Sequence, residues 1–154
     1  MDIQKFVEDS IKAQRVDMLA KSDQLTLGEM ILKLEPIVEK YKDEPDDKQP
    51  TVNYDFEYLF PTDIDSWRGS YAELALNFVG YVYSDKRPMK VADFLKMLKE
   101  AVGKEFIGYK GGEFIMSKHT PVWVANYGNS GNTAVIDIVD GGYFVLIVTA
   151  YREY

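Results

Sequence analysis

The chain has 154 residues, 46% of them hydrophobic and 28% charged, with a formal net charge of −7, one histidine and no cysteine. That is the composition of one globular domain able to bury its own core. It excludes disulfides, zinc–thiolate centres, cysteine nucleophiles and, within one chain, a histidine metal cluster, and its acidity argues against direct binding to nucleic acid or to an anionic membrane.

The N-terminus, Met1-Asp2-Ile3-Gln4-Lys5, lacks the basic region of a secretory signal. No window approaches the roughly 20 apolar residues of a membrane span; the longest apolar run, Tyr143 to Val148, is strand-sized. A cytoplasmic protein without a cofactor is expected.

In chain order, residues 2–21 read as an amphipathic helix, with Ile3, Phe6, Val7, Ile11, Met18 and Leu19 on an imperfect stripe. Thr26-Leu27-Gly28-Glu29 has the spacing of a capping box, in which the threonine accepts from an exposed amide and the glutamate reaches back. A second helix is expected from there to Tyr41, kinked or split at Pro36, which removes a hydrogen bond and crowds the preceding turn. Amphipathic helices at 2–21 and 26–41 would form a pair that packs on a sheet or joins two copies in a homodimer. Residues 42–51 (KDEPDDKQPT) are a charged, proline-containing loop. They separate a helical part, 1–41, from a β-rich core, 52–154, within one domain.

Val52 to Phe60 alternates apolar and polar and predicts one half-buried strand, ended by Pro61-Thr62-Asp63. Residues 70–83 predict a strand, with helix as the alternative. Val91 to Val102 predicts a helix with Gly103 at its C-terminal cap; Lys90 before it is a poor capping residue. Residues 113–117, 122–127, 133–139 and 143–151 then read as strands of an antiparallel meander, the last two joined by the tight-turn sequence Asp140-Gly141-Gly142. The expected fold is α+β: an antiparallel sheet of about six strands, the N-terminal helical pair, and one further helix.

Two strings carry recognition chemistry. In Ser66-Trp67-Arg68-Gly69-Ser70-Tyr71, Arg68 offers a guanidinium fork for an anion, Trp67 and Tyr71 offer flat faces, and Ser70 adds a hydroxyl. The alternative is a turn leading into a strand, with Trp67 in the core and Arg68 paired to Asp63, Asp65 or Glu73. In Gly108-Tyr109-Lys110-Gly111-Gly112, glycines could expose amides as an anion nest beside Lys110, with Tyr109 next to it. The spacing is neither a P-loop nor a dinucleotide fingerprint, and the alternative is a glycine-rich turn. Together Arg68 and Lys110 would suit a nucleotide-like or otherwise phosphorylated ligand.

Asp55, Glu57, Asp63 and Asp65 form a candidate acidic patch, read otherwise as a solvated face. His119 lies in a polar loop without the nucleophile elbow of a hydrolase, and a hydrolase using Glu73, Asp137 or His119 is the least favoured reading. Eleven tyrosines favour an interface protein, although aromatic residues also suit strands.

Three strings, Ser66 to Tyr71, Gly108 to Phe114 and Thr120 to Tyr127, are similar to those of small uncharacterised accessory proteins of tailed phages and prophages. The resemblance spans about residues 54–151 and leaves the helical N-terminal part outside. It implies a viral origin, a host cytoplasm and an accessory role, and brings no activity with it. The expected function is binding without catalysis: inhibition of a host protein, such as a defence component, through Trp67, Arg68, Ser70, Tyr71, Tyr109 and Lys110. Capture of a small anionic ligand by Arg68, Lys110 and a stacking aromatic is the alternative.

Overall fold

The computed structural model describes residues 23–56, 59–66, 74–80, 86–107, 113–125 and 133–151. The capping box forms as its spacing predicts. Thr26 Oγ1 accepts from the Glu29 amide at 3.2 Å, and the Glu29 carboxylate accepts from the Thr26 amide at 2.9 Å. Helix α1, Leu27–Tyr41, follows and buries Leu27, Met30 and Leu34. It is one helix, not two. Pro36 is exposed within it, and the carbonyl it leaves without a helical donor belongs to Leu32, itself 70% exposed, so water can satisfy that oxygen. Of the expected helical pair only α1 is present among the described residues; residues 2–21 lie outside them.

Helix α2, Val91–Ala101, turns Val91, Phe94, Leu95, Leu98 and Ala101 inward against α1 and the sheet. Lys90 makes no side-chain cap. Gly103 follows the C-cap with φ +84, a conformation that costs glycine little, and its amide reaches the Met116 carbonyl at 2.7 Å.

The main sheet contains β1 (Thr51–Tyr54), β2 (Leu59–Ser66), β3 (Leu74–Gly80), β6 (Val122–Val124), β7 (Thr133–Asp140) and β8 (Phe144–Tyr151) in the order β1-β8-β7-β6-β3-β2. A separate antiparallel ribbon pairs β4 (Glu105–Ile107) with β5 (Glu113–Ile115). The α+β class stands, but the sheet is mixed: β1 runs parallel to β8, and β3 parallel to β6. The expected meander holds for β6, β7 and β8, which are consecutive antiparallel neighbours, and fails at its first strand. The segment at 113–115 leaves for the ribbon, and β6 inserts between β3 and β7. The β7–β8 hairpin forms as read, with Gly142 at φ +92 and the Gly141 amide on the Phe144 carbonyl at 2.8 Å.

The predicted strand 52–60 is two strands. β1 stops at Tyr54, where Asp55 takes over. Its amide donates to Ile147, and its carboxylate accepts from the Thr149 amide and hydroxyl at 3.0 and 2.8 Å. Pro61-Thr62-Asp63 does not end a strand but lies inside β2, where the register with β3 shifts between Pro61 and Ile64. β2 is the last strand of the sheet, where a proline and a bulge are tolerated.

The sheet curls nearly into a barrel, bringing its terminal strands β1 and β2 together. Tyr54 of β1 reaches across the interior, its ring edge-on to Phe78 at 6.3 Å and its hydroxyl on the Leu76 carbonyl at 3.3 Å. Burial, with the nearby charge of Asp63 second, holds that phenol well above its usual pKa, so it stays a donor. Val52, Leu74, Leu76, Val122, Val124, Val135, Val145 and Ile147 meet the two helices in the principal core. On the opposite face Trp123 is opposite Ala75 on one side and Ala134 on the other, so two small neighbours leave room for the indole.

Candidate functional site

Each recognition string is the connection of an antiparallel pair. Residues 67–73 join β2 to β3, whose last paired positions are Ser66 and Leu74. Residues 108–112 join β4 to β5, from Ile107 to Glu113. Trp67, Arg68, Ser70 and Tyr71 belong to the first connection, Tyr109 and Lys110 to the second, and all six lie outside the described residues. The strands that carry the two connections are close, since β2 packs beside β4.

The ribbon has two unlike faces, because side chains alternate along a strand. Phe106 turns toward the principal core. Glu105, Ile107, Glu113 and Ile115 share the other face, where Ile107 and Ile115 are 68% and 64% exposed. Two isoleucines left in water between glutamates are costly to solvate and are not part of the core. Sequence reading missed β4 altogether. Its signal was the repeated Glu-Phe-Ile at 105–107 and 113–115, two matching strands on either side of a glycine-rich connection.

The acidic patch separates into parts with different work. Asp55 is committed to Thr149 and closes the end of β1. Asp63 accepts from the Thr62 hydroxyl at 2.7 Å and the Asn77 amide at 3.2 Å. Asp63 and Asp65 are exposed on β2, and Glu57 lies outside the described residues. β1 ends at Tyr54, so Asp55 lies beyond the strand whose face the alternation assigned to it.

Around His119 no catalytic set assembles among the described residues. The Ser117 hydroxyl accepts from the His119 main-chain amide at 3.1 Å, and Asp137 pairs with Lys33 at 3.1 Å. Among the described residues no group of three histidine or carboxylate side chains could hold a metal ion, and no helix is long and apolar enough to cross a membrane. The apolar face of α1 is buried within its own chain. Comparison with protein-family models, curated proteins and solved structures finds no match.

Proposed function

We propose that this chain is a phage-encoded accessory protein that acts in the host cytoplasm by binding, inhibiting a host protein such as a component of a defence system. The observation that carries this reading is the outward face of the β4–β5 ribbon, with Ile107 and Ile115 exposed. An inhibitor needs a complementary surface and no catalytic set. Aliphatic side chains ringed by charge, beside connections rich in Tyr, Trp and Arg, have the composition of an interface centre. The binding surface is the ribbon together with Trp67, Arg68, Ser70, Tyr71, Tyr109 and Lys110. Affinity capture from bacterial extract is expected to recover one stoichiometric protein, and Ile107→Ser with Ile115→Ser to abolish the recovery. Undiminished recovery by the double variant refutes the assignment.

A second reading rests on the packing of β2 beside β4, because the connections bearing Arg68 and Lys110 leave neighbouring strands. The two cations would then hold one nucleotide-like or otherwise phosphorylated molecule, with an aromatic ring stacked on it. Mass spectrometry of material released on denaturing the purified protein tests it. A phosphorylated compound released in equimolar amount supports this reading, and its absence removes it.

A further inference from the structure

A second surface lies at the head of α1. The N-cap Thr26, then Gly28, Glu29, Ile31 and Leu32 of the helix, Val102 after α2, and Lys118 and His119 of the facing turn enclose an open pocket of about 560 Å³. That volume lies within the range of sites that seat a small ligand or a peptide side chain. Its apolar floor is accessible: Leu32 is 70% exposed and Val102 42%. Leu32 stands outside the buried stripe of α1, so the fold has no use for it as core.

The polar rim is built firmly. The Ser117 amide donates to Thr120 Oγ1 at 3.0 Å, the Thr120 amide to the Ser117 carbonyl at 3.1 Å, and the His119 amide to Ser117 Oγ at 3.1 Å. The turn is joined to α1 by Gly28 and Leu27, whose amides donate to the Lys118 and Thr120 carbonyls at 2.8 and 2.9 Å. These bonds also consume the free amides of the helix head, and the Glu29 carboxylate is held by Thr26. An anion arriving here would find no spare main-chain donor. It would find the ammonium of Lys118 and the imidazole of His119, with the one lining carboxylate, Glu29, already engaged by the Thr26 amide.

In a chain of net charge −7, lysines such as Lys33, Lys40 and Lys99 are paired with carboxylates. The Lys118 ammonium has no ion pair or hydrogen bond among the described residues. An unpaired cation carried on a fixed turn, beside exposed Leu32 and Val102, complements a segment that combines an aliphatic side chain with a neighbouring carboxylate. We infer that this pocket docks an acidic, leucine-bearing peptide segment of a partner protein. The aliphatic side chain sits on Ile31, Leu32 and Val102, and the carboxylate faces Lys118 and His119. The pre-formed rim lowers the ordering cost of binding. The pocket lies at the foot of the ribbon, where Gly103 and Lys104 are bonded to Met116, and its docking role does not depend on the function proposed for the ribbon's outward face.

The test is fluorescence anisotropy with the full chain and a fluorescein-labelled Glu-Leu-Asp-Leu-Glu peptide. Saturable binding is expected, weakened at least about tenfold, or 1.4 kcal/mol, by Leu32→Asn and by Lys118→Glu. Both side chains are exposed, so matching circular dichroism melts confirm that the variants fold. A peptide with lysines in place of its acids, and one with serines in place of its leucines, are expected to bind at least about tenfold more weakly. Lys96→Ala, on the exposed side of α2 outside the pocket, is expected to bind as wild type. No saturation up to about 1 mM peptide overturns the inference. So do wild-type binding by both pocket variants, loss of binding by Lys96→Ala, or a dimer that Leu32→Asn dissolves, which would give the pocket to a second copy.

Discussion

Gly28→Ala sets two physical effects against each other. In the first turn of an exposed helix the substitution ordinarily stabilises by about 0.5–1 kcal/mol, because glycine loses more backbone freedom on folding. Here an added Cβ would stand 2.8 Å from Lys118 Cβ and 2.9 Å from the Lys118 carbonyl oxygen. Carbon atoms rest at about 3.5–4.0 Å, so one side must retreat by more than half an ångström on the order of that spacing. Neither side can do so freely. The oxygen is the acceptor of the Gly28 amide itself at 2.8 Å, and the turn behind it is tied by Ser117 and Thr120. Overpacking of this kind costs about 1–3 kcal/mol, and weakening the bond to Lys118 adds about 1 kcal/mol. Subtracting the propensity gain leaves a net loss of about 1–3 kcal/mol. Urea unfolding followed by circular dichroism measures it, as a lower midpoint with an unchanged slope. A Gly28→Ala protein as stable as wild type, or more so, would refute the close seating of α1 on Lys118.

Three further outcomes follow from the same contacts. Asp55→Ala leaves the Thr149 amide and hydroxyl without their acceptor and is expected to lower stability by about 1–2 kcal/mol in the same urea assay. Gly142→Ala forces a side chain to φ +92 and is expected to cost about 1–2 kcal/mol, although no atom lies within 4 Å of the new Cβ; denaturation that matches wild type would contradict that turn. For Asp140, burial pushes the carboxyl pKa up, but Lys40, the Gly142 amide and the Tyr41 hydroxyl outweigh it and hold the group below 3.8. A carboxyl lowered on folding stabilises fully above its unfolded value and loses that contribution as pH falls through the folded one. The stability gap between wild type and Asp140→Asn is therefore expected to be constant near neutrality and to narrow below pH 3.8 in acid-titrated unfolding.

Features whose chemistry is local were readable before the fold. Thr26 and Glu29 satisfy each other within one turn, Gly103 needs only the end of its own helix, and Asp140-Gly141-Gly142 needs only its two flanking strands. The parallel pairings were not readable, because β1 meets β8 and β3 meets β6 across long stretches of chain that no periodicity records. The alternation of Val52 to Phe60 ran on through Asp55 because it reports which side of the chain is apolar, not where a ladder stops. What stops it is a carboxylate finding Thr149, nearly a hundred residues away by sequence. The candidate site shows the same division. Glycines and aromatic residues offered a turn as one reading of 66–71 and of 108–112, and the chain joins antiparallel strands at both places, although the strand expected over 70–83 is observed as Leu74–Gly80. That their strands lie together, that Ile107 and Ile115 face outward, and that Lys118 meets Leu32 are consequences of packing between distant segments. Leu32 did leave a trace, as an apolar residue off the buried stripe of its helix.

This chain is proposed to act by holding a protein partner on the ribbon and its neighbouring connections. Quantitative affinity capture from bacterial extract tests it most directly, comparing wild type with Ile107→Ser/Ile115→Ser and with Arg68→Ala/Lys110→Ala. One stoichiometric protein is expected with wild type, and at least about a tenfold loss with each double variant. Equal recovery by all three proteins, or no stoichiometric partner at all, would contradict it.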